Sequence, residues 1–232
     1  MNAIILAAGK GTRLRPLTND CPKCMIPVCG IPIVEQQIRF LHEVGIYDII
    51  LVSGYKANKL HRLKQKYGVH ILHNNKYNIY NNIYSLYLAQ DFFSNSYILE
   101  GDIYMHRNCL QKEIQTSTYF SRVVDDFKDE WQLIPDKDKF LKKIIIGSGK
   151  GNIMSGISYW TDSDANIIKK EISQIIKNRD SKDLFWDNAV LNIYTKLNIH
   201  IQTVKDIYEI DTVQDLKAIE KNIIFRESQL IP

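Results

Sequence analysis

No stretch of this sequence approaches the roughly 20 consecutive apolar residues that a membrane-spanning helix needs. The apolar run Ala3 to Ala8 is too short for a signal-peptide core and has no basic residue before it. Cysteine is scarce: Cys21, Cys24, Cys29 and Cys109 are the four present. Cys21-Pro22-Lys23-Cys24 has the spacing of half a zinc knuckle or of a redox pair. No second close pair of Cys or His follows, and the motif trails a glycine loop rather than opening a thioredoxin-like unit, so reduced and incidental thiols are the expectation. Charge of one sign is also lacking. The 30 basic and 26 acidic side chains are interspersed and leave a net charge of +4. This balance argues against nucleic acid and against a membrane surface as partners, and suits small anionic substrates. Neither a Ser/Gly linker nor an internal repeat is visible. We therefore expect a soluble cytoplasmic protein, with residues 1–232 forming one domain.

Hydrophobic residues make up 45% of the chain and charged residues 24%, enough to bury a full core without disulfide or metal staples. Asn2 to Ala7 is a short aliphatic run ending in small residues, the pattern of a buried strand entering a loop. Residues 33–44 carry a helical stripe of Val34, Ile38, Leu41 and Val44 that ends before Gly45. Asp48 to Ser53 and Val69 to Leu72 read as further buried strands, with an amphipathic helix over 57–66 between them. Helical spacing returns at 83–92, and Ser96 to Leu99 is a strand leading into Glu100-Gly101-Asp102. This alternation predicts an α/β fold with a doubly wound, mostly parallel, Rossmann-like sheet over residues 1–105. Four shorter strands are expected next, at 119–124, 130–134, 141–146 and 153–160. A helix over 162–177, a strand at 199–204 and a closing helix at 213–224 complete the reading. The second half is expected to extend the first sheet.

The strongest chemical signal follows the first strand: Ala7-Ala8-Gly9-Lys10-Gly11-Thr12-Arg13-Leu14. Glycines there let the backbone turn tightly and offer N–H groups to phosphate oxygens. Thr12 adds a hydroxyl donor and Arg13 a forked cation. The loop lacks the Gly-Lys-Ser/Thr ending of a P-loop and the third glycine of a dinucleotide fingerprint. Lys23, in Pro22-Lys23, is a second cation that can return to the same phosphates. Asp102 stands at the carboxyl end of a central strand, where open α/β sheets place ligand chemistry, and can hold Mg²⁺ against a triphosphate. A partner carboxylate is expected. Asp187 is the first choice, with Asp183 and Asp211 as competitors. All three tryptophans lie in the second half, in Glu130-Trp131, Tyr159-Trp160 and Phe185-Trp186. Aromatic faces beside a carboxylate can cage a quaternary ammonium, although Trp160 also reads as plain core.

Taken together, Leu6-Ala7-Ala8-Gly9-x-Gly11-Thr12-Arg13-Leu14 with Pro22-Lys23 resembles the signature of the sugar-phosphate nucleotidyltransferase superfamily. Within it, the chain most closely resembles bacterial CTP:phosphocholine cytidylyltransferases of the choline-incorporation (lic) pathway. The resemblance runs nearly end to end. It includes Arg15-Pro16-Leu17-Thr18, Gly54-Tyr55, Tyr80-Asn81-Asn82-Ile83-Tyr84-Ser85-Leu86, Asp102 and Glu130-Trp131. Farther on it includes Ser155-Gly156-Ile157-Ser158-Tyr159-Trp160, Trp186-Asp187-Asn188 and Tyr208-Glu209-Ile210-Asp211.

The resemblance implies a nucleotide-binding half over 1–105 and an inserted acceptor-binding β region within 106–232. Leu6, Ala7, Ala8, Gly9, Gly11, Thr12, Arg13, Lys23 and Gly54 would surround CTP, with Tyr80, Asn82 and Ser85 near its base and ribose. Lys23 and Arg13 would act on the phosphates, and Asp102 and Asp187 would be the magnesium pair. Glu130, Trp131, Tyr159 and Trp186 would receive choline. Two departures from the family pattern stand out: Glu100 in place of the first acid of an Asp-x-Asp, and the cysteines that flank Lys23. The implied reaction is Mg²⁺-dependent transfer of CMP from CTP to phosphocholine by a monomer or small homo-oligomer. The rival expectations are the same fold acting on a sugar 1-phosphate or an aminoethyl phosphonate, and a regulatory nucleotide-binding module without turnover.

Overall fold

The computed structural model of the chain describes residues 1–178 and 181–229. In chain order the first half gives β1 (Asn2–Ala7), β2 (Pro27–Val28), β3 (Ile31–Pro32), α1 (Ile33–Glu43), β4 (Ile49–Ser53), α2 (His61–Tyr67), β5 (His70–His73), α3 (Asn82–Leu88), β6 (Ser96–Glu100) and β7 (Ile103–Met105). The second half gives β8 (Ser117–Pro135), β9 (Leu141–Trp160), α4 (Asp162–Lys177), α5 (Asp187–Ile193), β10 (Ile199–Thr203), β11 (Ile207–Glu209) and α6 (Val213–Ser228).

One seven-stranded sheet runs through both halves in the order β10-β8-β9-β6-β1-β4-β5. Its pairings are parallel except for β9, which is antiparallel to both β6 and β8. The period-2 alternation of β1 explains the layering. Ala3, Ile5 and Ala7 join a core that includes Val34, Ile38 and Leu41 of α1 and Leu63 of α2. Ile4 and Leu6 join another that includes Ile83 and Leu86 of α3, Ile168 and Ile172 of α4, and Val190 of α5. A strand buried on both faces in this way is the pattern of a doubly wound fold. No helix among the described residues is long and apolar enough to cross a membrane.

The expected group of four short strands at 119–160 is instead one long hairpin, β8–β9. Its polar and glycine-rich stretches read as turns, but they lie inside paired strands: Val124 faces Gly151, Phe127 faces Gly149 and Glu130 faces Gly147, with register shifts between these pairs. Bulges absorb residues that would otherwise end a strand. The turn itself is at 136–140, where Asp136 Oδ1 accepts from the N–H groups of Asp138 and Phe140, both at 2.9 Å.

Two smaller features place the site. The β7–β11 pair sets Glu209 opposite Ile103, and the Ile210 N–H donates to the Asp102 carbonyl, so the chain's last strand lies against the end of β6. From α6, Leu216, Ile219 and Ile223 pack with Leu14, Ile26, Val28 and Ile33, anchoring the segment that follows β1.

Candidate active site

Two adjoining pockets open at the carboxyl ends of β1 and β6, where Leu6 pairs with Glu100 and the Gly101 N–H donates to the Leu6 carbonyl. The first, of about 210 Å³, is walled by Leu6, Ala7, Ala8 and Gly9 from the end of β1. Lys23 and Cys24 form its floor on one side, Asn74, Tyr77, Tyr80, Asn81 and Ser85 the other. The second, of about 380 Å³, takes Arg13, Ile103, Asp129, Glu130, Trp131, Met154, Gly156, Asp187 and Glu209. Asn82, Glu100, Asp102 and Phe185 line both and form the common wall. A bilobed cleft of this kind can hold two small molecules with their reacting ends at the wall.

At that wall Lys23 Nζ lies 2.6 Å from Asp102 Oδ2 and 2.6 Å from Asp211 Oδ1. Arg13 Nη2 reaches the same Asp211 oxygen at 2.8 Å. Burial would lower the Lys23 pKa, but Asp102 and Asp211 outweigh it and hold it above the usual lysine value, so the ammonium stays charged. Asp211 is likewise held below the usual carboxylate range: burial opposes this, and Lys23 and Arg13 override it. Asp102, Glu209 and Asp211 bring carboxylate oxygens within 4.8 Å of one another. Burial, with Asp102 and Asp211 alongside, pushes Glu209 up to about 7. Crowded carboxylates are hard oxygen donors, the set that suits Mg²⁺, and a bound divalent cation would relieve their repulsion.

Asp187 sits apart from that trio, on the wall of the second pocket, where its Oδ1 accepts from Tyr119 Oη at 2.8 Å. Burial raises it to about 7 and the Tyr119 hydrogen bond offsets part of the rise. Of its sequence competitors, Asp211 is beside Asp102, whereas Asp183 is exposed.

Within the glycine loop Gly9 faces open space beside the first pocket, whereas Gly11 is closely packed. Gly11 has φ +58°, and a Cβ there would lie 2.8 Å from Lys23 Cβ, so the loop and Lys23 pack directly on each other. Thr18 Oγ1 donates to the Gly11 carbonyl at 2.8 Å, and Tyr55 Oη donates to the carbonyls of Thr18 and Asn19. Gly54 does not line either pocket. A Cβ on it would stand 2.6 Å from the Ala8 carbonyl oxygen and 2.7 Å from Tyr77 Cβ, so glycine lets Tyr77 close against the end of β1.

Of the expected nucleotide residues, Leu6, Ala7, Ala8, Gly9, Lys23, Tyr80, Asn82 and Ser85 line the first pocket. Gly11 and Thr12 do not, and Arg13 opens on the second pocket. Of the expected choline residues, Glu130 and Trp131 line the second pocket, but Tyr159 and Trp186 do not. Tyr159 pairs with Tyr97 across β9 and β6 and is 3% exposed, its ring 5.3 Å from that of Tyr97. Trp186 is also 3% exposed, set edge-on to Trp160 and stacked near Tyr119. The aromatic faces on the second pocket are those of Trp131 and the exposed Phe185.

Asn74, Tyr77, Phe185 and Glu209 were not picked out by sequence reasoning as site residues. Asn74 is 1% exposed and donates to Ser85 Oγ at 3.0 Å, a buried polar contact that no periodicity reveals. Phe185 and Glu209 are next to singled-out residues, and only the fold decides which of each pair faces the cleft.

The nucleotidyl transferase family model matches residues 2–124, more than half of the chain. Over 223 residues the sequence is 42% identical to the choline-phosphate cytidylyltransferase of Streptococcus pneumoniae, covering 95% of this chain and 97% of that one. It is 36% identical to the Haemophilus influenzae protein of the same name, over 93% and 94% of the two chains. Identity to the 2-aminoethylphosphonate cytidylyltransferase of Lancefieldella rimae is 33%, over 97% and 94%. The solved structure of CTP:phosphocholine cytidylyltransferase from Streptococcus pneumoniae superposes with a TM-score of 0.94 over 96% of this chain and 98% of that one. With sequence, fold and cleft in agreement, the chain belongs to the nucleotidyl transferase family.

Proposed function

We propose that this chain transfers CMP from CTP to phosphocholine in the presence of Mg²⁺, giving CDP-choline and pyrophosphate. The observation that carries the reading is the common wall: Asp102, which lines both pockets, holds the charged Lys23 where a pocket walled by residues 6–9 meets a pocket lined by Trp131.

CTP takes the first pocket, its triphosphate directed along residues 6–9 toward Gly11, Thr12 and Arg13. Phosphocholine takes the second, its trimethylammonium against Trp131 and Phe185 and its phosphate at the wall. A cation over an aromatic face is drawn by the ring quadrupole, and Glu130 and Glu209 add negative charge nearby. A sugar would instead need many hydrogen-bonding groups around its hydroxyls. A phosphate oxygen of phosphocholine attacks the α-phosphorus in line. The bond from that phosphorus to the bridging oxygen breaks, and its electron pair leaves with pyrophosphate. The attacking oxygen is already ionised near neutral pH, so no general base is required.

Catalysis is then alignment plus charge neutralisation. Lys23 delivers an ammonium at the wall, and Arg13 meets the phosphates from the other side. Bound Mg²⁺ would supply Lewis-acid neutralisation of phosphate charge. Asp102 and Asp187 are the residues assigned to hold it. The oxygen-only donor set around Asp102 fits that ion, with Glu209 and Asp211 as neighbours. A cytoplasmic monomer or small homo-oligomer, folded as one domain with nucleotide and acceptor halves, belongs to the same reading.

One observation favours a second acceptor. Asp129, Glu130 and Glu209 ring the pocket with carboxylates, which suit the N–H donors of a primary ammonium as carried by an aminoethyl phosphonate. Incubation with Mg-CTP, with and without phosphocholine, tests the main reading. Pyrophosphate and CDP-choline should appear in equal amounts and only with the acceptor present. Absence of both would remove the reading and leave either the aminoethyl phosphonate acceptor, tested by the same incubation with that compound, or a nucleotide-binding module.

A further inference from the structure

Glu100 has no part in the transfer as derived above, yet it stands in the wall between the pockets. Its Oε1 receives two donors, Asn82 Nδ2 and Trp186 Nε1, each at 2.9 Å. Asn82 Oδ1 in turn accepts from the backbone N–H of Trp186 at 2.9 Å. Three side chains from the end of β6, the start of α3 and the residue before α5 thus close a ring of hydrogen bonds.

Both polar atoms of the Asn82 amide enter the ring, each through one bond, so Asn82 serves as a tie between β6 and the residue before α5. The ring ends one residue before Asp187. The Trp186 indole is wedged against Trp160, with ring centroids 5.9 Å apart, so its N–H has little freedom to seek another acceptor. A second tie fixes the other neighbour: the Phe185 N–H donates to Asn188 Oδ1 at 2.8 Å. The aromatic wall and the carboxylate of the second pocket therefore hang from a residue whose indole is fastened to the end of the strand that carries Asp102.

We propose that Glu100 is a positioning residue. Its carboxylate oxygen fixes the Phe185–Asp187 segment relative to Asp102, and so sets the geometry in which metal and acceptor meet the nucleotide. This rests on the function proposed above. It assigns the Oε1 atom a purpose distinct from metal binding, because that oxygen accepts from two N–H donors.

The test compares Glu100→Ala, Glu100→Gln and Trp186→Phe. Glutamine keeps an acceptor oxygen for both donors while removing the charge. Phenylalanine keeps the packed ring and removes one donor. For Glu100→Ala, kcat should fall about 10- to 100-fold while KM for CTP stays within about twofold, and glutamine should restore most of the loss. Trp186→Phe should fall between wild type and Glu100→Ala. A second readout needs no turnover: titration of Mn²⁺ into the CTP-saturated protein should show about tenfold weaker binding in Glu100→Ala and near-normal binding in Glu100→Gln. Equal damage in the alanine and glutamine variants would make Glu100 a ligand or charge carrier and overturn the proposal. Wild-type kcat and Mn²⁺ binding in Glu100→Ala would overturn it as well. If wild type shows no phosphocholine-dependent pyrophosphate, the function reading fails, and the Mn²⁺ titration still decides on the ring.

Discussion

The two pockets are built in different ways. The first is lined by three compact stretches, 6–9, 74–85 and 100–102, joined by Lys23, Cys24 and Phe185, with β1 and β6 supplying their carboxyl ends. The second draws on residues from the glycine loop, the start of α3, β6–β7, both strands of the long hairpin, the start of α5 and β11. A pocket made from strand ends is fixed by the sheet, so its chemistry follows from topology. A pocket made from side chains of distant elements can change its ligand by substitution while the sheet stays as it is. Under the proposed function, phosphate handling would belong to the fold, and acceptor choice to a handful of residues on the hairpin and before α5.

The largest effect expected from breaking this arrangement is at the wall that both pockets share. Lys23→Ala and Asp102→Ala should each lower kcat by about 10²- to 10³-fold, measured by pyrophosphate release, since the first removes the ammonium at the reacting phosphorus and the second a carboxylate assigned to the metal. Rates within tenfold of wild type would put the chemistry elsewhere. Asp187→Ala against Asp211→Ala sharpens the metal assignment. Asp187→Ala should lose orders of magnitude and Asp211→Ala less, since Asp211 is engaged by Lys23 and Arg13. The reverse order would transfer the metal site to the Asp102–Glu209–Asp211 trio.

Next in size is the acceptor pocket. Trp131→Ala should raise KM for phosphocholine roughly 3- to 30-fold, as a lost cation–π face implies, and leave KM for CTP nearly unchanged. Equal increases in both constants would mean that the pockets are not separate. The converse substitution is Gly54→Ala, whose new Cβ would press on the Ala8 carbonyl and on Tyr77. It should cost about 1–3 kcal/mol of stability and weaken CTP binding more than phosphocholine binding.

The smallest effect is a control lying in neither pocket. Glu35 of α1 is 7% exposed and bonds Arg62, Lys66 and Tyr67 of α2. Burial would raise its pKa, but Lys66, Tyr67 and Arg62 override this and hold it below the usual carboxylate value. A depressed folded-state pKa contributes stability that is full above the unfolded-state value and is lost as pH falls through the folded one. Glu35→Gln should therefore cost roughly 1–3 kcal/mol near neutral pH, with the gap to wild type closing in acid, and neither KM should move. Denaturant unfolding at several pH values measures it.

Legibility in the sequence follows the same division. β1, α1, β4 and β6 were readable because each is an unbroken apolar run or a clean 3.6-residue stripe. Asp102 and Lys23 could be singled out because a parallel sheet places strand ends together. The hairpin was not readable as one unit: Gly147, Gly149 and Gly151 look like turn residues, and only the facing register shows them to be paired residues opposite bulges in β8. Tyr159 and Trp186 look like cage aromatics for a related reason. Alternation does not say which sheet face covers the core, and β9 turns Tyr159 onto Tyr97 rather than toward the cleft. Of the acid neighbours of Asp102, Asp211 is legible only as a competitor of Asp187 and Glu209 not at all, because β11 is three residues long and acts only through its pairing with β7.

The central claim is that acceptor identity is set by the tryptophan-faced pocket while the sheet handles CTP. Its most direct test is kcat/KM with Mg-CTP for phosphocholine, phosphoethanolamine, 2-aminoethylphosphonate and glucose 1-phosphate, in wild type and in Trp131→Ala. Phosphocholine should lead in wild type, glucose 1-phosphate should not be used, and the lead over the primary amines should shrink in the variant. Preference for a primary amine in wild type, or a lead for phosphocholine that survives loss of Trp131, would contradict it.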